Sequence, residues 1–243
     1  LGIELPEINL GVGSGTHAEQ TAKIMLSFER VCQDVSPSMV VVFGDVNSTI
    51  ACSLVARKLS IPVAHVESGI RSYNRHMPEE VNRILTDHSS TYLFTPSKLA
   101  SFQLLKENFH KDNIFNVGDT MLDVYLNHKP QIKKISKKKF KDLGKYILVT
   151  IHRAENTMSE EILKNIYLNL ELLSQNYKII FPMHPRTEKI LRNLKLYNYY
   201  KSTFNLIKPI GYIETMSLLE EASLLITDSG GMQKESFYCK VPC

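Results

Sequence analysis

The chain has 243 residues, of which 43% are hydrophobic and 22% charged, and its formal net charge is only +4. This composition is typical of a folded globular protein and excludes the disordered and fibrous classes. Because much of the positive excess lies in one lysine-rich stretch, Lys129 to Lys145, rather than over a folded face, we expect no nucleic acid partner and interpret the stretch as a solvated connector.

Short β-branched or aromatic runs alternate with helical patterns along the chain. The runs that predict strands of parallel sheets are Met39–Phe43, Pro62–Val66, Tyr92–Thr95, Ile114–Val117, Tyr146–Ile151, Lys178–Pro182, Leu206–Pro209 and Leu224–Thr227. The segments that predict helices are Ala18–Cys32, Ser48–Lys58, Ser97–Glu107, Ser159–Leu173, Arg186–Leu196 and Glu214–Glu221. In one of these helices, Ile162, Ile166, Leu170 and Leu173 are spaced to share a buried face.

The β-α-β alternation occurs on both sides of the lysine-rich stretch. It predicts an α/β protein of two Rossmann-like, doubly wound domains, residues 1–140 and residues 141–243, the second incomplete. In such folds ligands bind at the carboxyl ends of the strands, and we expect the active site in the cleft between the domains.

A glycine-rich segment, Gly11 to Thr16, precedes the first predicted helix. Its spacing is G-x-G-x-G and it follows no convincing strand, so it differs from the dinucleotide-binding fingerprint. We predict a turn that leads into a helix from about His17.

Acidic residues follow the first two predicted strands. Asp45 comes after the strand that ends at Phe43, and Glu67 directly follows the next strand, with Arg71 in the same loop. Active-site acids are found at such strand ends, although Asp45 could equally hydrogen-bond the following loop. Further along, Glu79 lies in the first turn of a helix that Pro78 starts, with Arg83 four residues later; this pattern also suits ordinary helix-start chemistry.

The second half places histidines at strand ends. His152 and Arg153 follow one predicted strand and His184 follows the next, where they could bind phosphate, although a histidine can also be structural. The last strand runs into Ser229-Gly230-Gly231 and a helix start, whose exposed N–H groups suit a diphosphate. Glu235, one turn later, could accept hydrogen bonds from a ribose or could be a surface residue.

These motifs together resemble the non-hydrolysing UDP-N-acetylglucosamine 2-epimerases. The resemblance rests on Asp45, the HVESGIRS segment (65–72), PEEVNR (78–83), the strand that ends in His152-Arg153 and DSGGMQKE (228–235), which occur in the family's order. It implies a glycosyltransferase-B type fold, Asp45, Glu67 and Glu79 as catalytic carboxylates, His152 assisting at the phosphates, and Ser229, Gly230 and Glu235 binding the UDP. The remaining residues expected to bind substrate are Arg71, Arg83, Arg153, His184 and Gly231.

The resemblance also predicts a reaction without a cofactor or metal. UDP would leave C1 of a UDP-sugar while a carboxylate removes the C2 proton, and re-addition would invert C2. Related alternatives are another UDP-hexosamine as substrate, such as a diacetamido uronic acid, or a non-catalytic UDP-sugar-binding role. The family's glycine-threonine-arginine-proline-glutamate opening and its threonine-glutamate-arginine-proline closing segment are absent, which indicates truncation at both ends.

Cellular context is predicted from what the sequence lacks. The four cysteines show neither C-x-x-C spacing nor the density of a secreted disulfide scaffold, which favours a reducing compartment. There is no membrane-length apolar run and no basic-then-apolar leader at the start, so we expect a cytoplasmic protein without a membrane partner. By resemblance we expect a homodimer.

Overall fold

The computed structural model describes residues 4–153, 156 and 159–243 and divides the chain into two compact units between Thr120 and Met121. This division lies earlier than the expected boundary after residue 140. The reason is that Tyr125 and Ile132, which precede that boundary, are buried in the core of the second unit. Among the described residues, no helix is both long and apolar enough to cross a membrane.

The first unit is a parallel sheet with helices. Its strands are β1 (Val40–Phe43), β2 (Val63–Val66), β3 (Tyr92–Thr95) and β4 (Ile114–Asn116), in the spatial order β1-β2-β3-β4. Its helices are α1 (His17–Val35), α2 (Asn47–Lys58), α3 (Pro78–Ser89) and α4 (Lys98–Lys106), and a 3-10 turn covers Lys111–Asn113. Because all four strands run parallel, their carboxyl ends lie at one edge of the sheet.

Local sequence signals explain where the helices of this unit begin. Thr16 caps α1 in a reciprocal pair with Glu19, which confirms a helix start directly after the glycine-rich segment. Pro78 occupies the first turn of α3, where its missing N–H costs nothing. The Ser97 hydroxyl accepts a hydrogen bond from the Ala100 N–H and caps α4.

The second unit is built in the same way. After α5 (Thr120–Ile135) come a π-helical turn (Ser136–Phe140) and a 3-10 turn (Lys141–Leu143). The elements that follow are β5 (Tyr146–Thr150), α6 (Glu160–Ser174), β6 (Lys178–Pro182), α7 (Pro185–Asn193), α8 (Tyr197–Thr203), β7 (Asn205–Ile207), α9 (Tyr212–Glu221), β8 (Leu224–Thr227) and α10 (Gly230–Cys239). The sheet has the order β7-β6-β5-β8 and is parallel, so all eight predicted strands are confirmed.

The lysine-rich stretch is not a solvated connector, and that expectation was wrong. Its first part is the end of α5, where Ile132 is fully buried, and its later apolar residues Phe140 and Leu143 pack against the same core. The lysines dominate the composition of the stretch, but the apolar residues between them supply a buried face.

The buried face of α6 also differs from the prediction. Leu163, Tyr167 and Leu170 are the buried residues, whereas Ile162 is 44% exposed. Ile166 and Leu173 pack at the margin of this cluster, so the face is rotated by about one residue. Tyr167 explains the rotation, because its large ring packs at a tilt against the rings of Tyr200 and Phe204 inside the core.

Candidate active site

Asp45 lies just beyond β1, in a turn that Gly44 forms in the left-handed conformation, with φ of 64°. Its carboxylate is paired with the guanidinium of Arg83, whose Nε lies 3.1 Å from Asp45 Oδ2. The side-chain amide of Asn82 donates to the backbone carbonyl of Asp45 at 2.9 Å. Helix α3 therefore holds the Asp45 turn from two directions.

Glu67 lies at the end of the neighbouring strand, beside the Asp45 turn. Phe43 and Val66 are register partners at the ends of β1 and β2, and a Cβ added at Gly44 would lie 3.6 Å from Glu67 Oε2. The φ of Glu67 is 74°, a left-handed conformation that is unfavourable for a residue with a side chain. The Glu67 N–H donates to the carbonyl of Phe94, which helps to hold this conformation.

The two glutamates that begin α3 have different environments. Glu79 is exposed, and it shares a helix face with Asn82 and Arg83, the two residues that contact Asp45. Glu80 is 1% exposed and accepts hydrogen bonds from Ser72 and Tyr73 of the preceding loop. Burial alone would raise the pKa of Glu80, but these hydrogen bonds and the charge of Arg83 outweigh it and lower the pKa.

An open cavity of about 610 Å³ lies at the start of α3, on the side that faces α1. Polar groups from three segments line it, among them His17, Asn47, His76 and Asn82. The Asn47 side-chain amide donates to Gln20 at 2.7 Å, which links α1 to the start of α2 beside this cavity. Its volume is of the size that small-molecule sites have.

Arg71 is placed differently from the expectation that it binds substrate. Its side chain is 2% exposed, and its guanidinium contacts Asp87 at 2.7 Å and both carboxylate oxygens of Glu107 at 2.8 and 2.6 Å. These contacts bury the charge inside the first unit. The structure therefore corrects the expectation: Arg71 braces the loop after β2 instead of facing a ligand.

In the second unit, the loop after β5 is organised by Asp228, at the end of β8. Its carboxylate accepts hydrogen bonds from the backbone N–H groups of His152, at 3.0 and 3.1 Å, and of Arg153, at 2.8 Å. It also accepts one from the side chain of Asn156 at 3.0 Å. The His152 ring lies 3.5 Å from the same carboxylate and is 42% exposed, so one acid orients both the loop and its histidine.

The two predicted histidines of this unit come together. The ring centroids of His152 and His184 are 5.7 Å apart, and both residues line a cavity of about 220 Å³ at the carboxyl ends of β5 and β6. Met232 of α10 lines the same cavity. The prediction that strand ends bring these side chains to one place is confirmed within this unit.

The turn after β8 is a helix start, as predicted. Ser229 caps α10 by accepting a hydrogen bond from the Met232 N–H, and Gly230 begins the helix. The first N–H groups of a helix, here those of Gly230 and Gly231, have no acceptor within it and are suited to an anion. Among the described residues, and apart from the chain neighbours of Gly230 and its own helix backbone, no atom lies within 4 Å of a Cβ added at Gly230, so the turn has open space in front of it.

Glu235 is buried, not a surface residue. It is 6% exposed, and burial raises its pKa to about 7, although the hydrogen bond with Tyr212 acts in the opposite direction. Burial is also the main reason why the pKa of Tyr212 rises to about 12. The structure therefore places a buried carboxyl group with a raised pKa in the second turn of α10.

Sequence reasoning missed three acids that organise the site, Glu80, Asp87 and Asp228. Glu80 and Asp228 lie inside motifs that the sequence analysis singled out, yet only the structure shows which member of each motif is buried. Asp87 is a lone acid in the last turn of α3 and carries no local signal.

Comparison with known proteins identifies the relatives of this chain. A profile of the UDP-N-acetylglucosamine 2-epimerase family matches residues 1–243. A UDP-N-acetylglucosamine 2-epimerase of Methanocaldococcus jannaschii is 45% identical over 256 residues, which cover 100% of this chain and 69% of that protein. A UDP-2,3-diacetamido-2,3-dideoxy-D-glucuronate 2-epimerase of Pseudomonas aeruginosa is 40% identical and is covered to 68% of its length.

Solved structures agree with the sequence relatives. The crystal structure of the M. jannaschii UDP-GlcNAc 2-epimerase in complex with UDP-GlcNAc and UDP superposes with a TM-score of 0.85 at 44% identity, covering 99% of this chain and 68% of that one. The Neisseria meningitidis UDP-GlcNAc 2-epimerase bound to UDP-GlcNAc gives a TM-score of 0.81 at 33% identity, covering 94% of this chain and 64% of that one. The predicted fold class, two Rossmann-like domains of the glycosyltransferase-B type, is confirmed.

Proposed function

Because the chain belongs to the UDP-N-acetylglucosamine 2-epimerase family, we propose that it interconverts UDP-N-acetylglucosamine and UDP-N-acetylmannosamine. The observation that carries the proposal is the set of carboxylates at the ends of β1 and β2 and the start of α3, Asp45, Glu67 and Glu79, with Arg83 between two of these segments. Such a product is a precursor for cell-surface polysaccharides, and a cytoplasmic homodimer is part of the same proposal.

The proposed reaction is elimination followed by re-addition. The C2 proton is not next to a carbonyl, so its removal is coupled to departure of UDP from C1. A carboxylate takes the proton, the C–H electron pair forms the C1=C2 double bond, and UDP leaves with the electron pair of the C1–O bond. UDP then adds back to C1 of the 2-acetamidoglucal while a carboxyl group protonates C2 from the opposite face. Because no net oxidation occurs, the chemistry needs no redox cofactor.

We assign Glu79 as the base in the first step. It is exposed, unlike its neighbour Glu80, and it lies on the face of α3 that contacts Asp45. Asp45 and Glu67 are the two candidates for the acid that protonates C2 in the second step. A group that acts as acid in one direction acts as base in the reverse direction.

The departing UDP is stabilised by groups of the second unit. In this proposal His152, Arg153 and His184 meet the diphosphate together with the first N–H groups of α10, and Glu235 accepts hydrogen bonds from the ribose. Groups that are already oriented stabilise developing charge without reorganisation. Asp228 supports this arrangement because it fixes the backbone of the His152 loop.

Proton NMR of the protein with UDP-N-acetylglucosamine in heavy water tests the proposal. We expect loss of the C2 proton signal and the appearance of UDP-linked N-acetylmannosamine. Free N-acetylmannosamine with UDP would indicate a hydrolysing enzyme, and an acceptor-dependent reaction without C2 exchange would indicate a glycosyltransferase. UDP-sugar binding without any exchange would leave only a binding role and would refute the proposed activity.

A second substrate is favoured by one comparison. The P. aeruginosa relative named for a diacetamido glucuronate is 40% identical, close to the 45% of the M. jannaschii epimerase. The same elimination chemistry would serve that substrate. Parallel incubations with the two UDP-sugars separate the two functions, since the true substrate exchanges its C2 proton at the higher kcat/KM.

A further inference from the structure

A network of four buried or half-buried ionisable side chains lies beside the loops that carry the carboxylates of the first unit. His65, in β2, is fully buried, and its Nδ1 lies 2.7 Å from Asp87 Oδ1. The other oxygen of Asp87 lies 2.7 Å from the Arg71 guanidinium, which in turn is bound by both oxygens of Glu107. None of these four side chains has a role in the proposed chemistry.

Each end of the His65–Asp87 pair holds one of the turns that carry the catalytic carboxylates. His65 Nε2 lies 2.8 Å from the carbonyl oxygen of Gly44, the residue before Asp45. Asp87 Oδ2 accepts a hydrogen bond from the N–H of Gly69, two residues after Glu67, at 3.2 Å. The pair therefore ties together the loops that follow β1 and β2.

Both turns are conformationally demanding, so they need support. Gly44, Glu67 and Gly69 all have positive φ, at 64°, 74° and 78°. A Cβ at Gly69 would lie only 2.5 Å from the carbonyl oxygen of Ala100, so this loop is packed tightly against α4. Strained backbone at a site persists only where the surrounding structure fixes it.

The hydrogen-bond partners of His65 indicate which of its ring nitrogens donate. The carboxylate of Asp87 and the carbonyl of Gly44 are both acceptors, so both ring nitrogens have to donate. Arg71 is likewise held by two acceptors, the carboxylates of Asp87 and Glu107. Polar groups at this depth are tolerated because each one has a hydrogen-bond or ion-pair partner.

We propose that His65 and Asp87 are positioning residues for the epimerase reaction, which set the carboxylates of Asp45 and Glu67 through the Gly44 carbonyl and the Gly69 N–H. This inference rests on the proposed function. It assigns no contact with substrate to either residue. Displacement of a reacting group by about 1 Å can lower a rate by about a hundredfold, which sets the expected size of the effect.

The kinetic test compares His65→Gln with Asp87→Asn. Glutamine has a single donor nitrogen, which cannot reach both the Asp87 carboxylate and the Gly44 carbonyl oxygen, because these lie at different ring nitrogens of His65. We therefore expect kcat to fall roughly ten- to a hundredfold while KM stays within about threefold. The asparagine amide can donate to the His65 Nδ1 and its oxygen can still accept from the Gly69 N–H, so all the bonds to both turns survive. Asp87→Asn should therefore lose less than about tenfold in kcat. A His65→Gln enzyme with unchanged kcat, or an Asp87→Asn enzyme impaired as much as His65→Gln, would overturn the proposal.

The control is Val63→Ala, a fully buried residue at the other end of the same strand, with no bond to either turn. It removes core packing and should lower the Tm without changing kcat by more than about twofold. If it lowered kcat as much as His65→Gln at a similar Tm, general destabilisation would explain both effects and the positioning role would be refuted.

Histidine ¹⁵N NMR tests the network even if His65→Gln fails to fold. We expect two slowly exchanging ring N–H protons for His65 in the wild-type protein and one in Asp87→Asn. A single ring N–H in the wild type would refute the network. Wild-type protein that shows both ring N–H protons but no C2 exchange with UDP-sugars would refute the proposed function and would leave the network intact.

Discussion

Replacement of Glu235 by glutamine should stabilise the ligand-free protein and weaken its binding of UDP. Glu235 is 6% exposed, and burial raises the pKa of its carboxyl group from 4.5 to about 7. Glutamine has a similar shape and keeps an acceptor for the Tyr212 hydroxyl, but it carries no charge at any pH. The comparison therefore isolates the cost of ionising a buried carboxyl group.

The sign follows from proton linkage. The folded protein holds the Glu235 proton more tightly than the unfolded chain, so folding is penalised as the pH rises from 4.5 to 7. The penalty is absent below pH 4.5, grows between these values and is constant above 7. At 1.36 kcal/mol per pH unit it reaches about 3 kcal/mol at pH 8, against less than about 1 kcal/mol at pH 5.

Urea unfolding at pH 5 and pH 8 measures this penalty. The free energy of unfolding of Glu235→Gln relative to the wild type should rise by about 2 kcal/mol between the two pH values. The matched control is Glu161→Gln, which removes an exposed glutamate from the same unit and should change stability by less than about 0.5 kcal/mol at either pH. A Glu235 difference that is independent of pH, or that falls as the pH rises, would refute the reasoning.

In calorimetric titration, the affinity of the wild type for UDP should rise with pH, whereas its stability falls. If the ionised carboxylate accepts the ribose hydroxyl groups, wild-type affinity rises as the pH passes 7, and Glu235→Gln binds roughly tenfold more weakly at pH 8. Equal affinity of the two proteins at pH 8 would remove Glu235 from the nucleotide site.

Three further substitutions test other parts of the site. Glu79→Gln should lower C2 exchange at least about a hundredfold while UDP affinity stays within about threefold, and full exchange would exclude Glu79 as the base. Asp228→Ala leaves two backbone N–H groups without their acceptor, so UDP affinity should fall about tenfold in calorimetry, and less in Asp228→Asn; unchanged affinity in Asp228→Ala would contradict this support role. Gly69→Ala combines positive φ with a Cβ only 2.5 Å from the carbonyl oxygen of Ala100, so it should lower the free energy of unfolding in urea by roughly 3 kcal/mol. Gly118→Ala also has positive φ but open space around the added Cβ, so it should lower that free energy by about 1 kcal/mol. Equal losses in the two variants would contradict the contact argument.

The strands and the sheet type could be predicted because their signals are local. Each strand is a short β-branched or aromatic run bounded by turn residues, and the alternation with helices implies parallel pairing. Helix α5 was missed because its lysines and Pro130 mask the few residues, such as Ile132, that determine its packing. Where one apolar side chain in a polar segment is buried depends on the core that it meets, which periodicity does not report.

The candidate site was predictable to the extent that the strand-end rule locates residues. Because ligands bind at the carboxyl ends of parallel strands, the sequence predicts site residues at Asp45, Glu67, His152 and Ser229, and all four lie at strand ends in the structure. The rule does not say which way a side chain points. Arg71 was therefore expected to face a ligand, although its side chain points into the protein. The choice between substrate contact and internal bracing depends on partners that lie far away in sequence, here Glu107.

The acids of the two units illustrate different solutions to the same electrostatic problem. In the first unit Asp45 and Glu80 share Arg83, and hydrogen bonds from the adjacent loop lower the pKa of Glu80, so charge at the start of α3 is compensated within the protein. Glu235 is hydrogen-bonded to the neutral side chain of Tyr212, and burial raises its pKa. Compensated carboxylates keep their geometry with or without ligand, as a reacting centre requires. If Glu235 accepts the ribose hydroxyl groups as proposed, ligand binding offsets the cost of ionising its buried carboxyl group. Part of the UDP affinity would then come from the instability of the empty site.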